Sequence, residues 1–159
     1  MGFSADTNGG TAETLYTCTN DGLGGGGLAK IGLPGYTLST IGDYTNGLAG
    51  SECELTGTGD ARLFGFFALS SPTKLAEIAK TSAATPTSVT LSSVPTASAY
   101  AFSFWGGDFW FYTSNGFTNS QITRYRYSTN KSFSVVVQNT GMIIVGAGVS
   151  TCAPLIAPN

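Results

Sequence analysis

Few residues in this chain are equipped for chemistry, and one absence frames them: among 159 residues there is no histidine. Without imidazole the commonest general base and the commonest metal ligand are missing. A Ser-His-Asp or Cys-His arrangement cannot be built within one chain. Three cysteines, Cys18, Cys53 and Cys152, are too scattered for a recognisable zinc site, so neither a metal nor a cofactor is expected. Among nine Asp and Glu residues, Glu52 and Glu54 stand two apart, which on a strand puts both on one face near Asp60. Such a pair suits glycoside cleavage, or calcium held together with loop carbonyls. The plainer reading is a hairpin end kept soluble by acids, with Asp60 capping a turn. A carboxylate-based glycosidase is therefore the lesser alternative to a protein that is not an enzyme.

The densest chemical feature is Phe102-Ser-Phe-Trp-Gly-Gly-Asp-Phe-Trp-Phe-Tyr112, with seven aromatics in eleven residues. Strand alternation sends Phe109 and Phe111 to one face and Trp110 and Tyr112 to the other. Core packing accounts for one face. On the other, Trp105, Trp110 or Tyr112 offers a platform for the C–H face of a sugar ring, with Asp108, Asn115 and Asn119 placed to bond its hydroxyls. Exposed aromatics equally mark a protein interface. Arg124 and Arg126 alternate with Tyr125 and Tyr127, either gripping an anion as a same-face pair or forming an exposed polar face. Gly22 to Gly27, broken only by Leu23, lacks the Gly-Lys-Ser/Thr ending of a phosphate loop and reads as a flexible connection. Asn130-Lys-Ser132 matches a glycosylation acceptor, a motif common by chance.

These side chains must be held by strands, because no convincing helix is legible. Short β-rich runs alternate with Gly, Asn, Asp and Pro. An apolar-aromatic signature recurs at Leu15-Tyr16-Thr17, Leu63-Phe64-Gly65 and Phe111-Tyr112-Thr113, at intervals of 48 and 48. A second recurs at Leu28-Ala-Lys-Ile31, Leu75-Ala-Glu-Ile78 and Ile122-Thr-Arg-Tyr125, at intervals of 47 and 47. A repeat of this length means one supersecondary unit used several times. The expected architecture is a single all-β domain over residues 1–159. It comprises three four-stranded repeats, about 12–46, 47–97 and 98–141, with a closing strand at 142–155.

A four-stranded meander of this size is the unit of a propeller blade, and a β-trefoil or other barrel is the alternative. In the blade reading, small and apolar residues at 47–55, 98–105 and 143–152 form the innermost strands. A Gly-Asp turn recurs at Asp60 and Asp108. The frame is offset, so that the chain begins with a second strand and ends with a lone first strand that closes the ring. That register brings Cys152 beside Cys18, making a Cys18–Cys152 disulfide possible with Cys53 left free. Two copies would supply six blades, and a homo-oligomer is expected.

Composition sets the outer bounds. Charged residues are only 10% of the chain, hydrophobic residues 42%, and the net charge is −2 with seven Lys and Arg. This is not a disordered composition, nor a nucleic-acid footprint. No apolar run is long enough for a membrane span. The start, Met1-Gly-Phe-Ser-Ala-Asp6, reads as a mature domain with an added Met, any export signal having been removed. Low charge with abundant Gly, Ser and Thr points to an extracellular or cell-surface protein.

The stretches Glu54-Leu-Thr-Gly-Thr-Gly-Asp-Ala-Arg-Leu-Phe-Gly-Phe-Phe67, Leu75-Ala-Glu-Ile78, Ala101-Phe-Ser-Phe-Trp-Gly-Gly-Asp-Phe-Trp-Phe-Tyr112 and Val145-Gly-Ala-Gly-Val-Ser-Thr-Cys152 carry a family likeness. Over roughly residues 47–155 the chain resembles a propeller-like β-repeat domain of exported and lipid-anchored proteins from myxobacteria. The resemblance implies export and a β-repeat fold, and it carries no activity. The expected function is a non-catalytic exported binding module for carbohydrate or another cell-surface ligand. The alternative is a structural subunit of an extracellular homo-oligomeric assembly.

Overall fold

The computed structural model describes residues 1–19, 26–116 and 118–157. They form three four-stranded antiparallel sheets, each a simple meander, and contain no helix. The first sheet is β1 (Gly2–Ala5), β2 (Glu13–Cys18), β3 (Gly27–Gly32) and β4 (Thr37–Asp43). The second is β5 (Glu54–Gly57), β6 (Leu63–Phe67), β7 (Lys74–Ile78) and β8 (Thr87–Thr90). The third is β9 (Ala99–Trp105), β10 (Asp108–Ser114), β11 (Gln121–Tyr125) and β12 (Phe133–Val137). No ladder joins one sheet to another among these residues, so no barrel closes.

The sheets stack as propeller-like blades. Each has a front face, turned toward the next sheet in the chain, and a back face. Alternation along Leu63-Phe-Gly-Phe-Phe67 sends Phe64 and Phe66 forward and Leu63 and Phe67 back, and all five residues are buried. Tyr16 and Leu28 of the first sheet meet Leu63, Phe67 and Ile78 of the second. Phe64, Phe66 and Leu75 of the second meet Phe102, Phe109, Phe111 and Tyr125 of the third. The Phe66 and Phe111 rings sit 4.8 Å apart, edge to face.

The sheets approach one another through their first strands, β1 beside β5 and β5 beside β9. Glycine makes this apex possible. A Cβ on Gly57 would lie 2.3 Å from the Phe3 carbonyl oxygen, and one on Gly2 would lie 2.5 Å from that of Leu55. β1 does not pack on β9 in the same way, so the three blades make an open arc.

The ring-closing frame is corrected by the structure. The first sheet contains its own first strand, β1, with Gly2–Ala5 paired to Glu13–Tyr16, and residues 142–157 form no strand. That segment is a strap whose polar groups are bonded locally and to turns. Ser120 N donates to the Met142 carbonyl at 2.8 Å and Gly107 N to the Pro154 carbonyl at 3.2 Å. Thr151 Oγ1 bonds Glu13 Oε1. The strap thereby links the third sheet to the first without completing a ladder.

The expected Cys18–Cys152 disulfide is also overturned: Cys18 is bonded to Cys53, with Cα atoms 5.9 Å apart. The lead-in to β5 passes the end of β2, whereas Cys152 lies on the strap, exposed and free. The Gly22–Gly25 part of the glycine-rich loop lies outside the described residues. Gly27 opens β3.

Repeat register differs between the two markers. The cross-strand pairs Tyr16–Lys30, Phe64–Glu77 and Trp110–Arg124 occupy one position in the three sheets. The β11 marker keeps its spacing, but the position equivalent to Phe64 is Trp110, not Tyr112. The first-to-second-strand turns also differ. Residues 58–62 connect β5 to β6, whereas Gly106-Gly107 alone connect β9 to β10, both with positive φ as the tight hairpin requires. Asp60 and Asp108 are therefore not one turn residue used twice.

Candidate functional site

Asp108, Trp110 and Tyr112 project from the front face of the third sheet, which no other sheet among the described residues covers. Cross-strand register adds Trp105, Ser103 and Ala101 from β9, Arg124 and Ile122 from β11, and Ser134 and Val137 from β12. Four of the expected ligand residues, Trp105, Asp108, Trp110 and Tyr112, thus share one face. Trp105 is exposed, Trp110 and Tyr112 are half-buried and Asp108 is buried.

Their polar groups are largely committed to one another. Asp108 is buried and accepts from Arg124 Nε at 2.6 Å and also from its Nη2. The Arg124 guanidinium lies 5.2 Å from the Trp110 ring centroid. Trp110 donates its indole N–H to the Trp105 carbonyl at 3.2 Å, and the Tyr112 and Ser103 hydroxyls bond at 3.2 Å. Asp108 is thus the anchor of Arg124, and a sugar approaching that side of the Trp110 ring would have to displace the guanidinium. Arg126 lies beyond β11 and donates its backbone N–H to the Ser132 carbonyl at 2.9 Å.

Asn115 lies at the far end of the same strand, five residues and about 16 Å from Trp110 at the usual strand rise. There it lines a different feature, a cleft of about 350 Å³ shared with Asn119, Gln121, Gln138 and Asn139. Pro95, Thr113, Ser114 and Thr118 complete the lining, and none of the nine side chains is charged. The amides are partly pre-oriented. Gln138 Nε2 donates to Gln121 Oε1 at 3.0 Å, and Gln121 Nε2 donates to Thr123 Oγ1 at 3.0 Å. Ser114 Oγ donates to the Thr118 carbonyl at 2.5 Å, and Thr118 Oγ1 to that of Asn115 at 2.7 Å, which fixes the rim. The side-chain amides of Asn115 and Asn119 have no partner among the described residues. Thr113 Oγ1 is buried and also unbonded among them, a rare condition for a buried hydroxyl.

The carboxylates are dispersed. Glu52 and Glu54 border a hollow of about 290 Å³ beside Tyr100 and the Cys18–Cys53 bridge. Burial raises the Glu54 carboxyl above its ordinary range, against the opposing pull of the Met1 ammonium at 3.8 Å. Asp60 sits beyond the opposite end of β5, accepting from Thr58 Oγ1 at 2.5 Å. It therefore adds nothing to the Glu52–Glu54 site. No cluster of three or more metal-ligating side chains occurs among the described residues.

Two cations escaped sequence reasoning. Arg62 donates to both oxygens of Glu77, at 3.0 and 2.6 Å, and to Tyr127 Oη at 2.8 Å, clamping the second sheet to the third. The Glu77 carboxylate raises its already high pKa further. Lys80 donates to the carbonyls of Ala5 at 2.6 Å and Ala61 at 2.7 Å, and burial lowers its pKa. An isolated Arg or Lys beside a strand gives no sign of which sheet it will reach.

No protein-family model, no curated protein and no solved structure matches the chain.

Proposed function

We propose that the protein is a non-catalytic binding module of the cell exterior that recognises a neutral, hydroxyl-rich ligand, a carbohydrate, at the amide-lined cleft of the third sheet. The observation that carries this reading is the cleft's composition. It presents side-chain amides and hydroxyls without a single charge, and the Asn115 and Asn119 amides are uncommitted among the described residues. Amides both donate and accept, which matches the paired donor and acceptor character of sugar hydroxyls. Ions gain little from such a lining. The Cys18–Cys53 bridge supports an oxidising, extracellular setting.

Binding of neutral oligosaccharides on a glycan array, followed by calorimetry, tests the reading. Asn115→Ala and Asn119→Ala should each weaken binding by about tenfold, as expected for one lost hydrogen bond of about 1–1.5 kcal/mol. Trp110→Ala should leave the affinity nearly unchanged. The absence of any glycan ligand, or affinity lost with Trp110 and kept in both Asn variants, refutes it.

A further inference from the structure

The uncovered front face of the third sheet has two counterparts within the same chain, and both are covered. Tyr16 and Leu28 in the first sheet, and Phe64 and Leu75 in the second, are each at most 6% exposed because the following sheet packs on them. Trp110 and Ile122 occupy the same positions in the third sheet, and both are only half-buried. On the back faces the converse holds. Leu63 and Ile78, and Phe109 and Tyr125, are at most 2% exposed beneath the preceding sheet. Their counterparts in the first sheet, Leu15 and Ile31, are half-buried.

Outer strands repeat the pattern. Val89 and Phe133 pack against the core between the second and third sheets. Val137, at the Val89 position, is 37% exposed on the front, and Leu38, at the Phe133 position, is 61% exposed on the back. The two ends of the stack are therefore complementary halves of a junction that the chain already makes twice.

We infer that a second copy of this chain docks on the front face of the third sheet through the back face of its own first sheet. The contact repeats the internal junction: Trp110, Ile122 and Val137 of one copy cover Leu15, Ile31 and Leu38 of the other. The strap borders the inner edge of the back face, where residues 147–149 line a hollow with Phe3 and Leu15 and Thr151 bonds Glu13, and it leaves Leu38 on the outer strand exposed. Two copies would place six sheets around one axis, within the range of closed propellers. Such a head-to-tail contact is self-limiting only if the rotation closes. Four strands about 4.8 Å apart and about 20 Å long give a face of about 400 Å². A ring of two copies uses both faces of each, about 800 Å² per partner, which is the size of a stable interface.

Light scattering without reductant, from micromolar to millimolar protein, reads the outcome on the wild type and on Cys152→Ser, which removes any link through the free thiol while keeping the Cys18–Cys53 bridge. The wild type should form a dimer. Val137→Glu and Leu38→Glu alter positions exposed in the monomer, so both should keep the native circular dichroism, and each alone should run as a monomer. A wild type that stays monomeric overturns the inference. So does dissociation by only one of the two variants, which means a face pairing with itself, and so does association that survives both. The cleft variants Asn115→Ala and Asn119→Ala should not change the mass, so the failure of assembly and that of ligand binding are read separately.

Discussion

Replacing Gly57 with alanine tests the apex on which the three sheets converge. The added Cβ would sit 2.3 Å from the Phe3 carbonyl oxygen and 3.0 Å from the Ser4 Cα, both backbone atoms. Ordinary contact begins at 3.4 Å, so β1 and β5 must part by about 1.1 Å or the junction must distort. Overpacking of this kind costs about 1–3 kcal/mol. The upper part of that range applies, because two strands must move rather than one flexible side chain. Alanine also narrows the unfolded ensemble, which returns about 0.4–1 kcal/mol. A net loss of about 2 kcal/mol remains, and with a urea m-value of about 2 kcal/mol/M the midpoint falls by about 1 M. Gly146→Ala is the control. Its Cβ meets nothing within 4 Å, so its midpoint should stay level or rise slightly. Equal stability of the two variants would show that β1 does not lie against β5, and the arc of blades would be wrong.

Two further outcomes follow from the same structure. Reducing the Cys18–Cys53 bridge, which spans 35 residues, should remove about 3–4 kcal/mol of stability; Cys152→Ser should leave the melting temperature unchanged with and without reductant. Burial holds the Tyr44 hydroxyl above its ordinary value of 10.0, and its single O–H faces the two bridge sulfurs, at 3.1 and 3.3 Å. Its contribution is fully present below pH 10. As pH rises further, the unfolded chain loses this proton while the folded one keeps it, so stability falls by up to about 1.4 kcal/mol per pH unit. Urea midpoints measured across alkaline pH should therefore fall less steeply in Tyr44→Phe. Tyrosinate absorbance showing Tyr44 ionised at pH 10 in the folded protein would contradict the burial argument.

Much of the strand inventory was legible. The recurring signatures Leu63-Phe64-Gly65, Leu75-Ala-Glu-Ile78 and Phe111-Tyr112-Thr113 all lie within strands, β6, β7 and β10. Period-two alternation and glycine turns are local signals, carried by neighbours within a few residues. β1 was not legible because Gly-Phe-Ser-Ala gives four residues without a polar alternation to mark a face. The 48-residue count slipped by two in the third sheet, because only cross-strand pairing shows that Trp110, not Tyr112, stands where Phe64 stands in the second. Of the expected ligand residues, Trp105, Asp108, Trp110 and Tyr112 share one face by strand register, whereas Asn115 lines a separate cleft. Its cleft is assembled from the loop after β10, the end of β12 and Pro95 of the inter-sheet connection. No spacing rule joins those segments.

Strand type, turn position and the absence of histidine chemistry are settled by residues acting on their immediate neighbours, and reading along the chain recovers them. Which face is covered, which cysteine finds Cys18 and where residues 142–157 lie are contests between segments tens of residues apart. Thr151 meets Glu13 across most of the chain, and Cys53 reaches Cys18 because the lead-in to β5 passes the end of β2. Such outcomes depend on the distance and orientation of packed sheets. Only the folded molecule defines those, and it leaves one front face and one back face without a neighbour.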